Sequence, residues 1–529
     1  MTEAATTQLA SLQTQGDILG AGYAALDQQN FSEAANCFLR VIAQTADHFD
    51  ALHMLGIINA QTGNLPAAIG YLSRAVAVNP AFATAHFNLG KAYQLRNEHS
   101  AALDSYGQAI CLRPDYTTAL NNRGVALQSL GEIDAALASI DAALQLDDNF
   151  SEAHYNRGNL LRSLRRYLEA LQSYDSAIAV RPNYPDAHNN RGLTLLDLGD
   201  SPRALESFLK VISLAPDFAE AHVNAALCHL QLGQLEAGWR EHEWRWMNPA
   251  NSEPRRTKPP LWLGEQALEG KRILLYAEQG LGDTLQFCRY ASGVQGLGAH
   301  VVLEVQRPLG TLLAELDGID QLVLKGDPTP LTDYRCPLLS LPLAFATTLA
   351  TVPSRASYIK ADEKKVAAWK CRLGSKKKPR VGLVWSGNQN HANDERRTIP
   401  LQQWLPLIGE TCEFISLQKE IRNTDHSVLR ENSALLHFGE ELLDFSDTAA
   451  LCELMDLVIS VDTSVAHLTG ALGRPIWILL PFNPDWRWLL KRDDSPWYPT
   501  AKLYRQEQPG DWTCVCERVR RDLKDFLSS

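Results

Sequence analysis

The sequence has no lysine- and arginine-rich block, no long apolar run and no paired cysteine spacing beyond a single Cys-x-Cys. Each lack speaks against a class of protein. Lys and Arg number 50 against 61 Asp and Glu, a net charge of −11, and without a basic stretch sequence-independent binding to nucleic acid is not expected. The opening residues, MTEAATTQLASLQTQG, carry neither the basic nor the apolar segment of a secretory signal. The uncharged stretch from Cys336 to Ser354 contains three prolines and several hydroxyl residues, and reads as strand, loop and helix rather than a membrane span. Ten cysteines are scattered along the chain. Cys514 and Cys516 have no nearby histidine partner, so reduced thiols in a cytoplasmic protein are the expectation. The 21% charged and 45% hydrophobic residues suit a globular chain. At about 150 residues per domain, 529 residues allow three or four domains.

What the chain does have is a period. Gly22, Gly56, Gly90, Gly124, Gly158 and Gly192 stand 34 residues apart, with Ala226 in the next slot. Ala34, Ala68, Ala102, Ala136, Ala170 and Ala204 keep the same interval, followed by Gly238. Pro80, Pro114, Pro182 and Pro216 share a third phase, broken at Asp148, and Phe38, Leu72, Tyr106, Ile140, Tyr174 and Phe208 a fourth. Small residues belong where helices cross closely, large ones fill the space between helices, and proline ends the second helix of a pair.

This pattern resembles the tetratricopeptide repeat (TPR) over residues 17–250, in seven units of which the first and last are degenerate. The resemblance implies an all-α superhelix with a groove for a peptide or protein segment. Asn88, Asn122, Asn156, Asn190 and Asn224 recur at one phase of the first helices. Asparagine is about 0.5 kcal/mol worse than alanine in a helix, so the row needs a cause. It is similar to the asparagine ladder of the O-linked N-acetylglucosamine transferases, which implies binding of an extended peptide backbone. The competing reading is that each amide braces its own repeat.

Beyond a 1–16 tail and the repeats, the prolines and mixed charges around 251–265 read as a linker. There follow β-rich runs at 272–278, 300–305, 321–326, 380–387, 413–418, 456–462 and 475–481, separated by amphipathic stretches. Such alternation predicts parallel sheets covered on both faces. The break GSKKKPR at 374–380 divides two expected Rossmann-like subdomains, 266–373 and 379–529, facing a cleft.

Three loops after predicted strands hold the candidate chemistry, where open α/β sheets place ligands. The first, Glu278 to Asp283, puts Asp283 after the flexible Gly280 and Gly282. The second contains Ser386, Gly387 and Asn388, then Arg397 three residues before Pro400. The third, Asp462-Thr463-Ser464 followed by His467, opens a helix whose free N–H groups favour a pyrophosphate. A plain helix cap remains the alternative for Asp283, Thr463 and Ser464, and a surface arginine for Arg397. Trp486 and Trp488, with Arg487 between them, are candidates for stacking on a nucleotide base or for local core.

These loops resemble those of the heptosyltransferase-related glycosyltransferases, most closely over DLVISVDTSVAHLTGALGRP. The family implies a GT-B fold, with 266–373 on the acceptor side and 379–529 on the nucleotide-sugar side. It further implies Asp283 as base and Gly282, Ser386, Asn388, Arg397, Asp462, Thr463, Ser464 and His467 at the donor. Arg397 departs from the lysine common in those families. Together with the repeats, the architecture resembles bacterial relatives of O-GlcNAc transferase. That implies a TPR-guided inverting transferase, with a nucleotide sugar as co-substrate, a protein or peptide acceptor, and no metal or other cofactor. A lipid or polysaccharide acceptor, with repeats serving assembly, and a non-catalytic scaffold are the alternatives.

Overall fold

The computed structural model describes residues 14–248, 258–390, 393–409 and 411–528. Most of the expected 1–16 tail, and 251–257 of the expected linker, lie outside the described residues. The chain forms two compact units, one running to Thr194 and the other from Leu195 to Ser529.

Fourteen helices, Gln15–Asp27 through Leu235–His242, follow one another in seven pairs and make the all-helical TPR superhelix. Gly22, Gly56, Gly90, Gly124 and Gly158 each face the large residue sixteen positions later. A Cβ at Gly124 would stand 2.5 Å from Ile140, and one at Gly158 would stand 2.6 Å from Tyr174, so the two helices approach only because that atom is missing. The turn inside each pair puts one residue in the left-handed region, at Gln29, Gly63, Asn97, Gly131, Arg165, Gly199 and Gly233, again 34 apart. Between pairs, His86 and His188 donate a ring N–H to the carbonyls of Pro80 and Pro182, both at 2.9 Å. His154 reaches Asp148 in the same way. The slot needs an exposed carbonyl more than a proline ring, which is why Asp148 serves there.

The division between the units falls inside the sixth helix pair, not at the end of the repeats. In the second unit, buried residues of the 238–246 segment join the core. Trp239 is 1% exposed, packs edge-on against Trp486 and Phe287 and donates to the Thr347 carbonyl at 3.0 Å. Trp246 packs on Leu274, Tyr276, Val302 and Val323. Arg245, 4% exposed, forms a two-pronged pair with Glu278, both bonds 3.0 Å. Within the 251–265 stretch read as a linker, Leu261 bridges to Arg335 and Trp262 is buried.

The remainder is two parallel sheets, as an α/β region requires. The first contains β1 (Arg272–Tyr276), β2 (His300–Val305), β3 (Gln321–Leu324) and β4 (Tyr334–Pro337), in the order β3-β2-β1-β4. The second contains β5 (Arg380–Val384), β6 (Glu413–Ser416), β7 (Leu435–His437), β8 (Leu457–Val461), β9 (Ile476–Leu480) and β10 (Ala501–Arg505), in the order β10-β9-β8-β5-β6-β7. The seven apolar runs correspond to β1, β2, β3, β5, β6, β8 and β9; β4 is expected only as the strand opening the Cys336–Ser354 stretch, and β7 and β10 have no run. Both are edges, partly solvated, so neither needs a continuous apolar run.

Candidate functional site

In the first sheet the chain runs from β1 outward through β2 to β3, then returns to place β4 on the other side of β1. In the second it runs from β5 through β6 to β7, then returns to place β8 beside β5. Each return is a topological switch point, where neighbouring loops diverge and leave a crevice at the carboxyl ends of the strands. The three candidate loops follow β1, β5 and β8.

Two of them touch. The short helix Leu281–Phe287 packs against Ser464–Ala471, and a Cβ on Gly282 would lie 2.8 Å from His467 Cδ2 and 3.6 Å from Ser464 Cα. Gly282 is therefore what lets the β1 loop close on the β8 helix. His467 is buried, its Nδ1 pairs with the Tyr498 hydroxyl at 2.9 Å, and its ring stacks on Trp488 at 5.3 Å. Burial, followed by the charges of Arg487, Arg289 and Arg397, lowers its pKa well below the usual histidine range, so the imidazole is neutral at pH 7. Thr463 occupies the N-cap position without capping the helix; its hydroxyl pairs with Ser460 at 3.1 Å instead.

The β5 loop joins them through Arg397. Its Nη1 donates to the Asp462 carbonyl at 3.0 Å, and its guanidinium covers Gly387, where a Cβ would lie 2.6 Å from Nη2. Arg397 Nε is buried without a hydrogen-bond partner, with Asp394 3.8 Å away. Ser386 is buried and its main chain is held by the Gln418 carboxamide, at 3.3 and 3.0 Å. Asn388 is exposed and accepts the Asn390 N–H at 2.9 Å, so it builds its own turn.

Asp283 occupies the third position of its helix, and its Oδ2 takes the Gly280 N–H at 2.7 Å. Its Oδ1 accepts from Arg487. Arg487 also donates to Asp485 at 2.9 Å and to Gln286 at 2.6 Å, and lies 4.2 Å over the Trp486 ring. Asp462 lies in the same electrostatic cluster. Burial, reinforced by the charge of Asp485, pushes its carboxyl up to about 6, against the opposing influence of the Trp488 indole, Arg397 and Arg487.

Of the two readings of Trp486 and Trp488, stacking platform or local core, the platform is overturned: they are 5% and 0% exposed. Arg487 pins their turn inward, so Trp486 packs on Trp239 and Trp497, and Trp488 on His467 and Tyr498. Aromatic content alone cannot tell a platform from a core. Gln286 and Tyr498 carry no motif of their own in the sequence, and Asp485 shows only as part of the Asp-Trp-Arg-Trp cluster.

In the repeats, the amide nitrogens of Asn88, Asn156 and Asn190 bond to the residue 35 positions earlier. Their partners are His53 at 2.9 Å, Asn121 at 2.9 Å and Tyr155 at 3.2 Å; Asn190 also reaches Asn159 at 2.7 Å. Asn122 accepts from Asn121 at 3.2 Å. In the second unit the Asn224 amide nitrogen is buried without a partner. Asn88, Asn156 and Asn190 thus tie their repeats to the ones before, while their Oδ1 atoms take no bond from the described residues.

No group of His, Cys, Asp and Glu suited to a metal occurs among the described residues, and no described helix is long and apolar enough to cross a membrane. Family models described as tetratricopeptide repeat match residues 19–77, 63–117 and 189–238, with further TPR models at 117–150 and 158–199. Protein FlbA of Caulobacter vibrioides is 28% identical over 321 residues, covering 56% of this chain and 54% of FlbA. The chain therefore spans about half the length of the curated relative it matches. Among solved structures, YrrB, described as a TPR protein with an unusual peptide-binding site, is 23% identical and covers 36% of this chain and 97% of its own, at TM-score 0.30. A tetratricopeptide repeat protein from Parabacteroides merdae is 19% identical over 43% of this chain and 90% of its own, at TM-score 0.37. With period, helix pairing and family models in agreement, the N-terminal part of the chain is built from tetratricopeptide repeats.

Proposed function

We propose that the chain is an inverting, metal-independent glycosyltransferase of GT-B architecture. It moves a sugar from a nucleotide-sugar donor to a protein or peptide hydroxyl held by the TPR groove, in the cytoplasm. The observation that carries this reading is the meeting of loops from two switch points, with Gly282 of the first sheet closed on Ser464 and His467 of the second. The donor diphosphate lies at the uncapped start of Ser464–Ala471, where main-chain N–H groups and the helix dipole favour an anion. Arg397 supplies the cation, with its buried Nε still to be paired.

Asp283 takes the acceptor proton as the hydroxyl oxygen bonds to C1 of the sugar. The bond from C1 to the diphosphate oxygen breaks with its electron pair, and Arg397 and the helix start meet the new charge. A carboxylate has about four lone-pair sites, so Asp283 can hold Gly280 and Arg487 and still accept that proton. In the repeats, the Oδ1 atoms left by Asn88, Asn156 and Asn190 can accept N–H groups of an extended acceptor.

Asp283→Asn is the direct test. Donor turnover, followed by nucleotide release from UDP-, ADP-, GDP- and CMP-sugars, should fall by about 10²- to 10⁴-fold. Calorimetric affinity for the free nucleotide should stay nearly constant. Wild-type turnover in Asp283→Asn would remove the base assignment.

A further inference from the structure

Arg487 touches Asp283, Asp485 and Gln286 together, and three features restrict its movement. Its Nε and Nη1 are committed to Gln286 and Asp485, at 2.6 and 2.9 Å. Its main-chain N–H is held by the same Asp485 carboxylate at 3.0 Å. Its plane lies against Trp486, which is itself enclosed by Trp239, Phe287 and Trp497. The remaining nitrogen, Nη2, reaches Asp283.

The loop that carries Arg487 is gripped from the repeats within the same compact unit. Gln231, on the first helix of the last pair, donates to Asn483 Oδ1 at 2.9 Å and to the Pro484 carbonyl at 2.8 Å. Gln231 accepts in turn from the buried Ser201 hydroxyl. Asn483 donates to the Leu196 carbonyl at 2.8 Å. An unbroken series therefore leads from Ser201 through Gln231, the Asn483–Asp485 turn and Arg487 to Asp283.

We propose that Arg487 is a positioning residue for Asp283, and that the last two repeats set its position through Gln231. This rests on the transferase reading only for its kinetic consequence; the positioning itself is a statement about the loop. A guanidinium fixed at three points holds one carboxylate oxygen while the Gly280 N–H holds the other, so the carboxylate plane cannot turn. The repeats then do more than hold an acceptor, because they build part of the frame behind the reactive group.

The test uses the full chain with Arg487→Gln, Arg487→Lys, Gln231→Ala, Asp283→Asn and the Arg487→Gln/Asp283→Asn double variant. Two quantities are read: hydrogen exchange over residues 280–285, and turnover of the four nucleotide-sugar classes. Exchange at Gly280 should rise at least about tenfold in Arg487→Gln and rise less in Arg487→Lys. Gln231→Ala should raise it too, and provides the readout if Arg487→Gln does not fold. Turnover should fall in Arg487→Gln and in Asp283→Asn, and the double variant should be no worse than Asp283→Asn alone, as groups acting as one unit behave. Losses that multiply in the double variant would make Arg487 merely structural and overturn the proposal, as would unchanged exchange in both Arg487→Gln and Gln231→Ala. If the wild type turns over none of the donors, the transferase reading fails while exchange still decides the positioning.

Discussion

Asp462 carries an electrostatic penalty at the candidate site, and its sign is measurable. Its pKa is raised by burial first and by Asp485 second. The folded chain therefore holds its proton more tightly than the unfolded chain, whose aspartates titrate near 3.9. This contribution is fully present below about pH 4 and is lost as pH rises through about 6. Asp462→Asn should then melt higher than the wild type above pH 6 and alike near pH 4, by about 2–4 °C for each kcal/mol recovered. A melting difference independent of pH would place the strain elsewhere. That such a carboxylate is kept beside Arg397 and the Ser464 helix fits a site where charge serves binding at a cost in stability.

At the scale of elements, the glycine row makes the sharpest stability prediction. Gly158→Ala forces a Cβ to 2.6 Å from Tyr174, an overpacking that costs about 1–3 kcal/mol, whereas Gly158→Ala with Tyr174→Leu should recover part of it. Equal loss in single and double variants would mean the contact is not what limits the helix approach. The asparagine row predicts a different balance. Asn122, Asn156 and Asn190 changed together to Ala should lower the melting temperature, since each lost bond is worth about 0.5–1.5 kcal/mol; a higher melting temperature would show helix propensity outweighing the ties. The repeats were legible because one geometric demand recurs every 34 residues, so Gly56, Leu72 and Pro80 could be read against their equivalents. β7 and β10 were not, since edge strands lack an apolar run. The sequence left Trp486 and Trp488 between platform and core, because the choice depends on Arg487 reaching Asp283 across more than two hundred residues of sequence.

On the scale of the whole molecule, the chain is not a repeat array followed by a separate sheet region. The structural break lies at Thr194, and the last helices contribute Trp239, Gln231 and Arg245 to the α/β half. The period ends in the sequence only after these helices, which is why sequence alone drew the boundary later. The central claim, a donor diphosphate at the β8 helix, is tested most directly by calorimetric titration of the full chain with UDP, ADP, GDP and CMP, repeated on Arg397→Ala. One nucleotide should bind, stabilise the fold by about 2.7 kcal/mol at 100 times its dissociation constant, and lose at least about tenfold in affinity, about 1.4 kcal/mol, in Arg397→Ala. Absence of binding by all four, or affinity unchanged in Arg397→Ala, would contradict the account.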